Sequence, residues 1–125
     1  MAKTGTNIKN YDNSPDMGNV DYVVEWQKPT ERNGYTWYRL YASGWITMGF
    51  IKQWNGAWNV TSLPHEMLND KYTIVGSGYR TDGSPYQGFV CFKDYTTTSV
   101  NIWFSDDSSS NAGYARILVE GLAKI

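Results

Sequence analysis

In two segments near the end of the chain, residues 100–105 and 114–122, strand faces can be assigned by alternation with a period of two, the spacing that sends successive side chains to opposite faces of a strand. Val100, Ile102 and Phe104 fall on one side of such a segment and Asn101, Trp103 and Ser105 on the other, so the first set is predicted to be core. In the last such segment Ala115, Ile117, Val119 and Gly121 oppose Tyr114, Arg116, Leu118 and Glu120. That second face is mixed rather than polar, which predicts a surface covered by a partner. Residues 1–20 show no face at all, because Ile8, Tyr11, Met17 and Val20 are scattered among Asn, Asp, Gly and Ser14-Pro15. Their composition is that of a flexible leader or linker.

The extended segments are short and punctuated by turn residues. Residues 21–27 are rich in β-branched and aromatic side chains and stop before Pro29. Asn33-Gly34 predicts a tight turn with positive φ at both central residues, closing a hairpin with residues 35–41. Ala42-Ser43-Gly44 turns the chain into a third strand, 45–53. Asn55-Gly56 is a second hairpin signal, followed by a strand at 59–63 that Pro64 ends and by a polar loop or single helical turn at 65–71. Further strands are predicted at 72–80, 88–95, 100–105 and 114–122. About eight short strands and no helix beyond one turn make the chain all-β, an antiparallel sandwich or barrel-like domain. No segment repeats at a fixed period, which removes propellers and solenoids.

Composition narrows the function classes. A length of 125 residues fits one domain. Six Trp, ten Tyr and four Phe bring aromatics to 16%, while charged residues reach only 18%, below the roughly 25% of ordinary soluble proteins. Eleven Lys and Arg against 12 Asp and Glu give a net charge of -1 with no basic run, so no nucleic acid partner is expected. The longest nearly apolar stretch, 45–51, is interrupted by Thr47 and Gly49 and is far short of the roughly 20 residues of a membrane helix, so no membrane insertion is expected. The polar start, residues 1–7, predicts no secretory signal. Cys91 is the only cysteine, which excludes an intrachain disulfide and a thiolate zinc cluster. Set between Val90 and Phe92, it reads as a structural thiol.

Catalytic signatures are weak. His65-Glu66-Met67-Leu68-Asn69 begins like a zincin motif but lacks the second histidine, so His65 reads as a loop residue and no metal is expected. Gly76-Ser77-Gly78 lacks the spacing of a nucleophile elbow. Glu25, Asp82, Asp94, Asp106, Asp107 and Glu120 are available carboxylates, but no spacing selects a glycosidase pair. Residues 106–111 also lack the pattern of a calcium loop. No enzyme and no cofactor are expected. The positive signal is aromatic excess in and beside turns, at Trp54, Trp58, Tyr79, Tyr86, Tyr95 and Tyr114, whereas Trp37, Trp45 and Phe104 read as core. Aromatic faces stack on the apolar faces of sugar rings, and rigid aromatics are favoured both at recognition surfaces and at subunit interfaces, so Trp54 and Trp58 beside the Asn55-Gly56 turn could equally face a neighbouring subunit. A glycan site is therefore predicted at loops 81–85 and 106–111, with Trp58, Tyr79, Tyr86 and Tyr95 stacking and Asp82, Asp106 and Asp107 accepting hydroxyl hydrogen bonds.

Tyr22-Val23-Val24-Glu25, Pro29-Thr30, Tyr35-Thr36-Trp37-Tyr38-Arg39, Tyr41 and Ser43-Gly44-Trp45 together resemble the segment before the C-terminal domain of many bacteriophage and prophage tail fibres. Residues 54–125, with Leu63-Pro64, Met67, Tyr72-Thr73-Ile74, Thr97-Thr98-Ser99 and Glu120-Gly121, look like the tip domain that follows, a small trimeric β-sandwich related to H-type lectins. Where the family continues with Glu-Gln-Gly-Gly, this chain has Ile46-Thr47-Met48-Gly49. The resemblance implies a leader at 1–20, a hairpin neck at 21–53 and a receptor-binding tip at 54–125. It implies a non-enzymatic homotrimer on the virion, made in the host cytoplasm, carried by an upstream fibre shaft and attaching to a bacterial cell-surface glycan. Tyr22, Val24, Trp37 and Leu40 are then expected near the threefold axis or against adjacent chains. A free-standing bacterial lectin or carbohydrate-binding module and a small fibre-borne depolymerase stand as alternatives.

Overall fold

The computed structural model describes residues 20–53, 58–81, 88–105 and 113–125. Among them eight strands follow in order: β1 (Val23–Gln27), β2 (Trp37–Tyr41), β3 (Trp45–Gln53), β4 (Asn59–Ser62), β5 (Thr73–Arg80), β6 (Val90–Lys93), β7 (Ser99–Phe104) and β8 (Gly113–Leu122). One 3-10 turn at Glu31–Asn33 is the sole helical element among the described residues. The chain is all-β, with two antiparallel sheets ordered β1-β2-β3-β8-β5 and β4-β7-β6 that form the layers of a sandwich.

Alternation decides what lies between the layers. β3 pairs with β8 along its whole length, from Trp45 opposite Leu122 to Gln53 opposite Tyr114. Ile46, Met48 and Phe50 of β3 and Ala115, Ile117 and Val119 of β8 are buried in one core with Val100, Ile102 and Phe104 of β7. The predicted inner face of β7 is thus the core face, and its three members are at most 1% exposed. One end of the core is filled by Leu63, Met67, Tyr72 and Ala123, with Met67 bridging to Ala123. Residues 65–71, expected as a polar loop, therefore supply a core residue; of two adjacent apolar side chains there Met67 is buried and Leu68 exposed, and an adjacent pair leaves no periodicity to tell them apart. The Tyr72 hydroxyl lies within hydrogen-bond reach of the carbonyls of Thr96 and Ser99, at 3.0 and 3.2 Å. Burial of that phenol is the main cause that pushes its pKa up to about 12.

The segment expected as a neck is part of the sandwich, because β3 is the middle strand of the larger sheet. Residues 21–53 and the strands β5 and β8 consequently share one layer. Leu40, expected at a subunit contact, is 4% exposed within this chain's own core and has no surface left to offer a neighbour. Tyr22 and Val24 do face outward, at 62% and 54% exposure. The tight turn also differs from expectation. Asn33 stays in the 3-10 turn because its side-chain oxygen accepts from the Thr30 and Thr36 backbone N–H groups while its amide donates to the Lys28 carbonyl. The positive φ values fall instead on Gly34 (69°) and Tyr35 (61°).

Side chains tie the edge strand β1 to its neighbours. The Tyr38 hydroxyl donates to the Glu25 carboxylate, and this bond raises the Tyr38 pKa. Asp21 accepts from the Ser43 hydroxyl, the Ser43 N–H and the Tyr22 N–H. The hydroxyl bond is the leading cause that lowers the Asp21 pKa.

Two outcomes test this core. Phe104→Ala removes a large side chain that is 1% exposed and should cost about 3 to 5 kcal/mol in chemical denaturation. For Tyr72, folding holds the proton to about pH 12, whereas an unfolded tyrosine ionises near pH 10. Above about pH 10 the unfolded chain binds fewer protons than the folded one, so the stability this group contributes, full below that pH, is lost as pH rises toward about 12. Urea midpoints across that window should fall less steeply in Tyr72→Phe than in the parent.

Candidate functional site

The sandwich presents two outward sheet faces, and both carry aromatic side chains. On the larger sheet the register lines residues up in rows across the strands. Trp37, Gly49, Leu118 and Val75 form one row across β2, β3, β8 and β5. Ile51, Arg116 and Ser77 form the next, and Gln53, Tyr114 and Tyr79 the one after. Gly49 has no side chain, and the Trp37 indole occupies the space a Cβ there would need. Trp37 therefore lies down on its own sheet as one wall of a groove, neither in the core between the layers nor free to reach a neighbour with its whole ring. Pro29 and Tyr35 from the β1–β2 connection line the same groove, together with Val75, Ser77, Tyr79, Arg116 and Leu118. It is open, with a volume of about 940 Å³.

Within the groove Tyr79 stacks on Tyr114, with ring centroids 5.6 Å apart and planes 21° apart. The Arg116 guanidinium sits 5.0 Å from the Tyr79 ring centroid, a cation over an aromatic face. No Asp or Glu is among the described residues that line it. Leu118, Leu122, Val75 and Trp45 leave 38% to 53% of their area exposed on this same sheet face. The mixed outer face predicted for β8 is thus observed, and it extends over the whole sheet. Trp45, expected as core, is 41% exposed, because it pairs with Leu122 on the outward side of the register.

The smaller sheet carries a shelf. Trp58, just before β4, stacks against Trp103 of β7 with centroids 6.0 Å apart and planes 27° apart. The Lys93 ammonium from β6 lies 4.3 Å over the Trp58 ring. Beside them the Asn101 amide donates to Asp94 at 2.7 Å, and the buried Asn101 side-chain oxygen has no hydrogen-bond partner among the described residues. Cys91 pairs with Trp103 on this outward side and is half-buried there, rather than sunk in the core with Val90 and Phe92. Val60 is 73% exposed on the same sheet.

The structure separates the predicted site residues. Trp58 lies on the smaller sheet and Tyr79 on the larger one, while Tyr95 packs tilted against Tyr72, 5.6 Å away at the far end of the sandwich. Trp58 and Tyr79 leave their sheets near the strand ends from which the expected loops begin; Tyr95 does not. Asp82, Tyr86, Asp106 and Asp107, like Trp54, lie outside the described residues. His65 packs edge-on against Tyr38, with centroids 5.4 Å apart and its Nδ1 2.7 Å from the Glu66 carbonyl. Sequence reasoning missed Trp103, Lys93, Asn101 and Arg116 as site residues. Alternation alone places Trp103 outward, but its pairing with Trp58 follows from the β4–β7 register, which one sequence does not give.

No family model, curated protein or solved structure matches the chain. Gly49 offers a direct check on the groove. Gly49→Ala should push the Trp37 indole outward, shift its side-chain N–H resonance in an NMR spectrum and cost about 1 to 2 kcal/mol of stability, as overpacking does.

Proposed function

We propose that this chain is an adhesion module, the receptor-binding tip of a phage or prophage tail fibre, working as a homotrimer that grips a bacterial surface glycan and performs no catalysis. The observation that carries this reading is the Trp58–Trp103 pair. Two tryptophans are stacked on the outside of a sheet, with Trp58 41% exposed and the polar groups of Lys93, Asn101 and Asp94 alongside. Neither belongs to the buried core cluster. Flat aromatic area suits the apolar face of a sugar ring, and neighbouring amide, carboxylate and ammonium groups suit its hydroxyls. Such contacts are individually weak. Three linked copies raise the avidity by roughly 10² to 10⁴ when the spacing allows simultaneous engagement. Trp45 and Leu122, exposed on the larger sheet outside the groove, with Tyr22, Val24 and Trp26 of the first hairpin, supply area for contacts between copies.

Trp58→Ala and Trp103→Ala test the reading on an array of bacterial surface polysaccharides. Each should weaken binding about tenfold, the effect of losing roughly 1 to 2 kcal/mol of aromatic contact. The trimer mass by light scattering and the melting curve should stay as in the parent. Equal binding by parent and both variants would place the site elsewhere, and a monomeric mass at micromolar concentration would overturn the trimer.

A further inference from the structure

We infer that the groove across the outer face of the larger sheet is a second ligand site, separate from the Trp58–Trp103 shelf and fitted to a sugar that bears a carboxylate, such as a uronic acid. The inference rests on the glycan-adhesion reading for its ligand class and on different residues for its evidence. Trp37, Val75 and Leu118 give the groove an apolar wall and floor, and Arg116 places a single positive charge among them. Among the described residues no carboxylate lies within ion-pair distance of that guanidinium, so none of them neutralises its charge. A cation without a carboxylate partner among the described residues, set at a mostly apolar concavity, favours an anionic ligand that also has apolar area.

The geometry around Arg116 narrows the anion. Tyr79 holds the guanidinium against its ring at 5.0 Å, and Tyr114 stacks behind Tyr79. A guanidinium backed on one face keeps its edge N–H groups for two parallel bonds to a carboxylate, a geometry that a lysine ammonium does not reproduce. Trp37, pinned on Gly49, stands across the groove as the second aromatic. A pyranose ring seated on Trp37 or Leu118 then brings its carboxylate toward Arg116 while its hydroxyls meet Ser77 and solvent. The volume of about 940 Å³ lies within the roughly 300 to 1,000 Å³ typical of small-ligand sites.

The test is calorimetric titration of the assembled protein with oligogalacturonate, oligoglucuronate and oligomannuronate, each beside its carboxyl-reduced neutral form. At least one oligouronate should bind the parent. Arg116→Gln should weaken it tenfold or more and Arg116→Lys by less, with unchanged melting curves, while the neutral form should not distinguish the parent from Arg116→Gln. Trp37→Ala should weaken both forms. Binding by no oligouronate, or equal binding by parent and Arg116→Gln, would overturn the inference. So would failure of all oligouronates together with a particle mass that drops in Arg116→Gln, since a second copy would then occupy the face. Loss of polysaccharide binding in Trp58→Ala reports on the shelf alone, so the two readings fail separately.

Discussion

The structure depends on the ladder between β3 and β8 and on the aliphatic layer that this ladder presses against β7. Nine residues of β3 are paired with β8, and every second one faces inward. Ile46, Met48, Val100, Ile102 and Val119 are wholly buried there. The burial is non-directional, yet the period of two makes it exact in consequence: a one-residue slip of β8 would send Arg116 and Glu120 into the core and Ile117 and Val119 out. Cysteine cross-links take no part in holding the layers, since Cys91 is the sole cysteine of the chain. Packing at the density of a protein interior therefore carries the fold.

The same alternation explains where the aromatics go. The inner layer is made almost wholly of aliphatic side chains and Phe, which fill the space between two sheets without bringing a polar atom. Tyr72, Asn59 and Thr61 are the exceptions: the Thr96 and Ser99 carbonyls receive the Tyr72 hydroxyl, and the Thr61 hydroxyl donates to the Asn59 carbonyl. Trp37, Trp58, Trp103, Tyr79 and Tyr114 fall on outward positions, where ring edges and polar tips remain in water. An outward tryptophan must still find apolar contact for most of its area. Trp58 finds it on Trp103, and Trp37 finds it on the bare backbone at Gly49. Each solution leaves a flat aromatic surface at the boundary with solvent.

Much of the fold was legible in the sequence, and less of the site. Strands at 45–53, 59–63, 72–80 and 114–122 were readable because β-branched and aromatic runs are bounded there by turn residues, and the core face of β7 followed from Val100, Ile102 and Phe104 alone. The sheet order was not readable, because β3 pairs with β8, a partner some 70 residues on, and no local signal encodes that pairing. For this reason residues 21–53 looked like a neck before a tip. The site suffered from the same gap. Aromatics near turns were visible as candidates, but whether Trp58, Tyr79 and Tyr95 share one surface depends on which sheet each strand joins. They occupy three places. Arg116 was visible only as one polar position on a mixed strand face, and its meaning came from Tyr79 standing opposite Tyr114 in the register.

Both candidate surfaces are built on strands, and this bears on the binding proposed for them. A loop that orders on contact gives up conformational entropy at that moment, about 0.5 to 1.5 kcal/mol for each rotamer-rich side chain immobilised. Trp58 and Trp103 hold each other before any ligand arrives, Lys93 already rests on the Trp58 ring, and Arg116 already rests on Tyr79. Folding has met that ordering cost in advance. Weak sugar contacts gain most from such preorganisation, because a shallow site has few hydrogen bonds with which to offset a disordered one. The ladder that excludes water from the core thus also fixes the side chains on its reverse side, and the register of β8 sets both the packing of Ile117 inward and the placing of Arg116 outward.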